Sequence, residues 1–260
     1  MPVPVLPDAI RLGPLALPTG PLLTVAGTLL AYTLAVKIAE GAARSQARPA
    51  AGPVEEPAGD RPGNGARAPV PDPALVDSLF TRAAVGLLLG AKLADILHSP
   101  LSFVHSPRLL VAWPGGPTAG AGAVMGALLL AGPVAARRWR ELPAVFDVAA
   151  APLLLGLAVM ALGLPDARAL PLAAGLILAA VILTLARALA AFPGHTALGA
   201  VVLAGLAAVT ADFFRPGADL PGGLSRFQVV AAAAAVLAYV AATIIEGAVR
   251  RRNPRENLPA

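Results

Sequence analysis

Seven apolar stretches, at about residues 20–40, 78–97, 118–136, 143–164, 169–191, 196–214 and 227–249, constrain this chain more than any other feature. Each approaches the ~20 residues that a helix needs to cross a ~30 Å hydrocarbon layer. Lipid offers no hydrogen-bonding partner to the backbone, so such segments must satisfy their own N–H and C=O groups, and a helix does this. The expected fold is therefore all-α, a polytopic membrane helix bundle of about seven transmembrane helices. Pro and Gly punctuate the same boundaries: Pro114-Gly115-Gly116-Pro117 before the third stretch, Pro143 before the fourth, Pro165 after it, Pro193-Gly194 before the sixth and Pro216-Gly217 after it. With 57% hydrophobic and only 13% charged residues, the chain lies outside the range of soluble domains. Aromatics supply just 4%, so the helices are expected to approach closely through Ala and Gly.

Charge placement gives the orientation. The net charge of +5 is not gathered on a polar domain; the basic residues flank the apolar runs, which argues against nucleic acid as a partner. If Arg250, Arg251, Arg252 and Arg255 are cytoplasmic, alternation places Arg187, Arg137, Arg138, Arg140, Arg44, Arg48, Arg61 and Arg67 on that side, with Lys37 and Arg82 abutting it. Fourteen basic residues then face five on the other side, Arg11, Arg108, Arg168, Arg215 and Arg226, which predicts N-out/C-in topology. Residues 1–20 contain only Arg11 and scattered prolines, without the pattern of a cleavable signal, and are expected to be retained. Residues 44–74, rich in Pro, Gly, Ala, Arg and Glu, are expected to form a disordered cytoplasmic insertion in a single transmembrane domain spanning 1–260.

Polar groups at membrane depth are the candidates for function, because each is costly there unless it is paired or faces water. Lys92 and Asp95 lie three residues apart on one helix face, which His98 continues. They form either an internal ion pair or part of a headgroup pocket. Asp147, Asp212, Arg215 and Glu246 are the other ionisable groups, Glu246 being expected as a solvated end charge. Gly115 and Gly116, with Gly120, Gly122 and Gly126, suit either close helix packing or a backbone anion site. There is no cysteine, and the three histidines are scattered, so neither a thiol nucleophile nor a zinc site is expected, and no cofactor is implied.

Four segments, taken in order, resemble the prolipoprotein diacylglyceryl transferase family. Residues 6–32 carry a Gly-Pro-Leu ahead of the first span. Residues 90–126 run from Gly90-Ala91-Lys92-Leu93 through Trp113-Pro114-Gly115-Gly116 into a Gly-rich helix start. Residues 146–163 resemble the fourth-helix segment. Residues 212–228 join Asp212-Phe213-Phe214-Arg215 to Gly223-Leu224-Ser225 and Gln228, similar to the family's Glu-Phe-Phe-Arg pattern.

The resemblance implies transfer of a diacylglyceryl group from phosphatidylglycerol to a lipobox cysteine of an exported preprotein, in the bacterial plasma membrane. The substrate supplies the thiol, and the enzyme's cations hold the phosphate. Lys92, Asp147, Asp212, Arg215, Gly115, Gly116 and Gln228 occupy family positions. The family's Gly-Arg-x-Gly-Asn, however, is replaced by Met160-Ala161-Leu162-Gly163-Leu164, its His-Gly-Gly by Ala119-Gly120-Ala121, an arginine by Ala208 and a tyrosine by about Gly20. The implied protein is a degenerate, non-catalytic member that binds phospholipid or a membrane partner. The alternatives are an active transferase with a rebuilt site and an unrelated multi-pass transporter.

Overall fold

The computed structural model describes residues 9–12, 15–47, 71–106, 118–164, 167–186, 192–214 and 225–252. Two short strands, β1 (Ala9–Leu12) and β2 (Leu15–Pro18), pair antiparallel with Ala9 opposite Pro18 and Leu12 opposite Leu15. This hairpin, which no apolar periodicity announces, leads directly into α1 (Thr19–Ala47). Then follow α2 (Pro73–His98), a short α3 (Pro100–His105), α4 (Ala119–Arg137), α5 (Leu142–Ala161), α6 (Ala169–Ala186), α7 (His195–Asp212) and α8 (Arg226–Arg252). All of these except α3 are long and apolar enough to cross a membrane, seven in total among the described residues.

The expected insertion at 44–74 is shorter at both ends. Residues 44–47 complete α1, whose 29 residues would measure roughly 43 Å and so outrun the hydrocarbon layer. Its last turns carry Arg44 paired with Glu40 at 2.9 Å, the i, i+4 spacing that suits a helix end in water. At the far end Asp72 caps α2, accepting from the Ala74 backbone N–H at 2.9 Å, with Pro73 beginning the helix. Residues 48–70 lie outside the described residues.

The chain divides into two compact units, residues 72–142 and the remainder. In the first, α2 and α4 pack antiparallel along facing small residues. A Cβ added at Gly86 would lie 2.3 Å from the Gly126 carbonyl oxygen, and one at Gly90 would lie 2.1 Å from that of Gly122. One turn on, the Thr118 hydroxyl donates to the Ala94 carbonyl at 3.3 Å. Gly86, Gly90 and Ala94 thus meet Gly126, Gly122 and Thr118 rung by rung, which lets the two backbones touch where lipid gives apolar side chains no reason to prefer each other. Of the glycines expected to allow close approach, Gly122 and Gly126 do so, whereas a Cβ at Gly120 would meet nothing within 4 Å.

The turn after α4 is fixed by Arg138. Its Nε and Nη2 donate to both carboxylate oxygens of Glu141 at 2.7 and 2.6 Å, and its Nη1 donates to Asp72 at 3.1 Å. The Arg138 hydrogen bond, together with the Ala74 N–H, holds the Asp72 carboxyl below its ordinary value of 3.8. A carboxyl lowered by folding stabilises the fold fully above its unfolded value and loses that contribution as pH falls through the lowered folded value. Asp72→Asn is therefore expected to destabilise at neutral pH and to become indistinguishable from the parent in strong acid. Asp72→Ala should cost about 1 kcal/mol more than Asp72→Asn, because Asn still caps the helix and Ala does not. Thermal unfolding of the three proteins from pH 7 into strong acid, well below the ordinary carboxyl value of 3.8, checks both statements.

In the second unit, α1 carries Gly27, Ala31, Ala35 and Ala39 at four-residue spacing as its buried stripe. It crosses α5 where Gly27 and Gly156 oppose each other, a Cβ on either falling within 2.3 to 2.5 Å of the other's carbonyl oxygen. The core lies among α5, α6 and α7: Leu154, Ala158 and Ala161 against Ala173, Leu176, Ala179, Ala180 and Leu183, closed by Ala207. Gly175 faces Ala207 across the α6–α7 contact, and Gly205 faces Ala231 and Ala235 across α7–α8. Large apolar side chains such as Leu178, Leu185, Leu237 and Ile244 point outward instead. Hydroxyls along these helices turn back on their own backbone: Thr24 to Gly20, Thr28 to Thr24, Thr184 to Ala180 and Thr210 to Leu206, all at 2.8 to 2.9 Å. Such bonds let a hydroxyl sit in hydrocarbon without an external partner.

Candidate functional site

The most buried polar cluster joins α7 to α8. Asp212 ends α7, where a carboxylate meets the negative end of the helix dipole and needs compensation. Arg168, from the turn before α6, supplies it through an Nη1 donor 3.0 Å from Asp212 Oδ1. The Asp212 side chain is 1% exposed and that of Arg168 22%. The second carboxylate oxygen accepts a hydrogen bond from the hydroxyl of Ser225. Ser225 in turn opens α8: its Oγ accepts from the Gln228 N–H at 3.0 Å, while its own N–H donates to Gln228 Oε1 at 2.9 Å. This reciprocal arrangement is a capping box. Because the Ser225 hydroxyl donates to Asp212, the Oγ lone pairs face the helix end, and one chain of hydrogen bonds runs from the Arg168 guanidinium to the first turn of α8.

Asp147 serves the other end of α7. Gly194, at φ 97°, is the N-cap residue and has no side chain with which to cap. Asp147, reaching across from α5, accepts from the backbone N–H groups of Gly194 at 2.6 Å and Ala197 at 2.9 Å. A carboxylate at the positive end of a helix dipole is favourable, so this is the stable counterpart of the Asp212 arrangement. Next to it His195 packs edge-on to Phe192, ring centroids 5.0 Å apart, with its buried Nδ1 unpartnered among the described residues.

The remaining sequence candidates are dispersed. Lys92 is half-buried on α2, its Nζ 5.3 Å from the Phe103 ring centroid on α3, within cation–π range. Asp95 lies one turn on, where its backbone carbonyl accepts the Ser99 N–H that closes α2. Gly115, Gly116 and Arg215 lie outside the described residues. Of the candidates, Asp212 and Gln228 come together, linked by Ser225; Asp147 stands at the opposite end of α7; and Lys92 and Asp95 belong to the other compact unit.

Arg168 and Ser225 complete the cluster and were not among the expected site residues. The Ser225-x-x-Gln228 spacing ahead of an apolar run is a capping-box signature, so Ser225 could have been found from sequence. Nothing local marks Arg168, whose partner is 44 residues away. Among the described residues no group of three His, Cys, Asp or Glu side chains could hold a metal ion.

Seven membrane-length helices, small residues at the contacts and large apolar side chains outside define the class: a multi-pass integral membrane protein. No family model matches the chain, and no characterised protein matches it in sequence.

Proposed function

We propose that this protein is a non-catalytic relative of the prolipoprotein diacylglyceryl transferases, lying N-out/C-in in a bacterial plasma membrane and holding phospholipid without converting it. The observation that carries the reading is how the described polar residues of the resemblance are used. Asp147 caps α7, Gln228 closes the first turn of α8, and Asp212 neutralises Arg168. These groups organise helix ends. The positions where the family has its catalytic cations and polar groups hold Ala161, Leu164, Gly120 and Ala208.

Each such contact commonly contributes about 3 kcal/mol to a transition state, so the loss of two slows the chemical step by roughly four orders of magnitude. Lys92 cannot compensate, since an ammonium is a point charge without the planar fork that grips a phosphate. Purified protein incubated with phosphatidylglycerol and a lipobox peptide is expected to give no thioether product, and its gene to give no rescue of cells depleted of their own transferase. Phosphatidylglycerol is expected to co-purify. Robust rescue that Arg215→Ala abolishes would overturn this reading in favour of a rebuilt active site.

A further inference from the structure

We infer that the turn joining α4 to α5 is a binding site for the phosphodiester headgroup of an anionic phospholipid in the surrounding bilayer. The site does not depend on the transferase resemblance. Three arginines and a tryptophan stand in sequence here, Arg137, Arg138, Trp139 and Arg140, and the structure separates their roles. Arg138 is consumed internally, gripped by Glu141 on two oxygens and by Asp72 on a third. Arg137 and Arg140 are exposed, and no carboxylate lies within ion-pairing distance of either among the described residues. Two positive charges are thus left over, held in place by a turn that the third has tied down.

Arg137 alone would be explained by the helix dipole, which favours a cation in the last turn of α4. The dipole does not explain the next residues. Trp139 is 63% exposed, and the Arg140 guanidinium lies over its ring, 5.6 Å from the centroid. An indole so exposed is poorly placed in water, whereas the headgroup layer suits its amphipathic ring, and a guanidinium stacked on it faces the same layer.

The helix beneath completes the geometry. No residue of α4 is buried, and Val124, Met125, Leu128 and Leu129 form an open apolar surface. Leu129 and Arg137 are eight residues apart, about 12 Å along a helix, so an acyl chain lying on this surface brings its phosphate to the level of the arginines. The fork of a guanidinium matches phosphate oxygens, and the surplus positive charge selects an anionic lipid over a zwitterionic one.

The test uses Trp139 as its own reporter. Trp113→Phe leaves one tryptophan in the full chain, which is reconstituted into phosphatidylcholine vesicles containing a minor fraction of either brominated phosphatidylglycerol or brominated phosphatidylcholine. Quenching at equal bromine content gives the relative occupancy of the site. We expect phosphatidylglycerol to be preferred about five-fold or more, with the preference falling several-fold in high salt. In Arg137→Gln/Arg140→Gln the preference should drop to about one, while Arg44→Gln, on α1 in the other compact unit and already paired with Glu40, should leave it intact. Equal quenching by the two lipids in the parent, or a preference that survives the double substitution, would overturn the assignment. Comparing the two lipids within each variant cancels any change in indole fluorescence from losing the stacked guanidinium.

Discussion

Gly126→Val is expected to separate α2 from α4 and to destabilise that unit by at least about 3 kcal/mol. Overpacking a well-filled site costs about 1–3 kcal/mol when side chains can move aside, and more when they cannot. Here the obstacles are backbone: a Cβ at Gly126 would lie 2.0 Å from the Gly86 carbonyl oxygen and 2.8 Å from Gly90 Cα. Relief requires the helices to move apart, which opens the rung between Gly90 and Gly122 and lengthens the Thr118 bond to Ala94. Gly120→Ala, six residues earlier on the same helix, should do the opposite. Its Cβ would meet nothing within 4 Å, and alanine's helix propensity should leave the protein unchanged or up to about 1 kcal/mol more stable. Thermal unfolding in detergent compares the two. Because the chain has no cysteine, a Cys pair introduced at Ala94 and Thr118 reports the rung independently, and its disulfide yield should fall in Gly126→Val only. Equal effects of the two glycine substitutions would show that the close approach does not hold the pair together.

This contact illustrates what could be anticipated. The third span, expected at 118–136, is Ala119–Arg137, and the others likewise match their expected stretches, most within a few residues, because a membrane imposes one length and one polarity on each. Glycine spacing on α4 suggested packing, but the partner glycines on α2 could be paired with it only in three dimensions, since four-residue spacing recurs widely in an alanine-rich chain. The hairpin before α1, the short α3 and the extension of α1 to Ala47 escaped the reading, as hydropathy is silent on structure outside the hydrocarbon. Polar residues were harder still. Asp147 was visible as a costly charge, yet the need it meets arises because Gly194 cannot cap α7 itself, and that need lies 47 residues away. Arg168 looked like one more outer-loop charge until Asp212 was seen beside it.

Arg168→Met is expected to be more damaging than Asp212→Leu, and the two together less damaging than Arg168→Met alone. Breaking a buried ion pair by removing one partner commonly costs about 3–5 kcal/mol, most of it from the charge left behind. The partners differ in what remains. Without Arg168 the group that loses this ion pair is a carboxylate that is 1% exposed, at the negative end of α7. Without Asp212 it is a guanidinium that is 22% exposed and can turn its fork towards water or a headgroup. The first loss should approach the full penalty and the second roughly half of it. Asp212→Leu also removes the acceptor of the Ser225 hydroxyl, leaving Ser225 free to rotate away from the first turn of α8. Ser225→Ala isolates that part and should cost about 1 kcal/mol, the usual worth of an N-cap. Thermal unfolding of the four variants in one detergent gives the coupling directly. Additive losses for Arg168→Met and Asp212→Leu would mean that the pair is not energetically linked, and the cluster would then be two separate helix-end contacts that happen to touch.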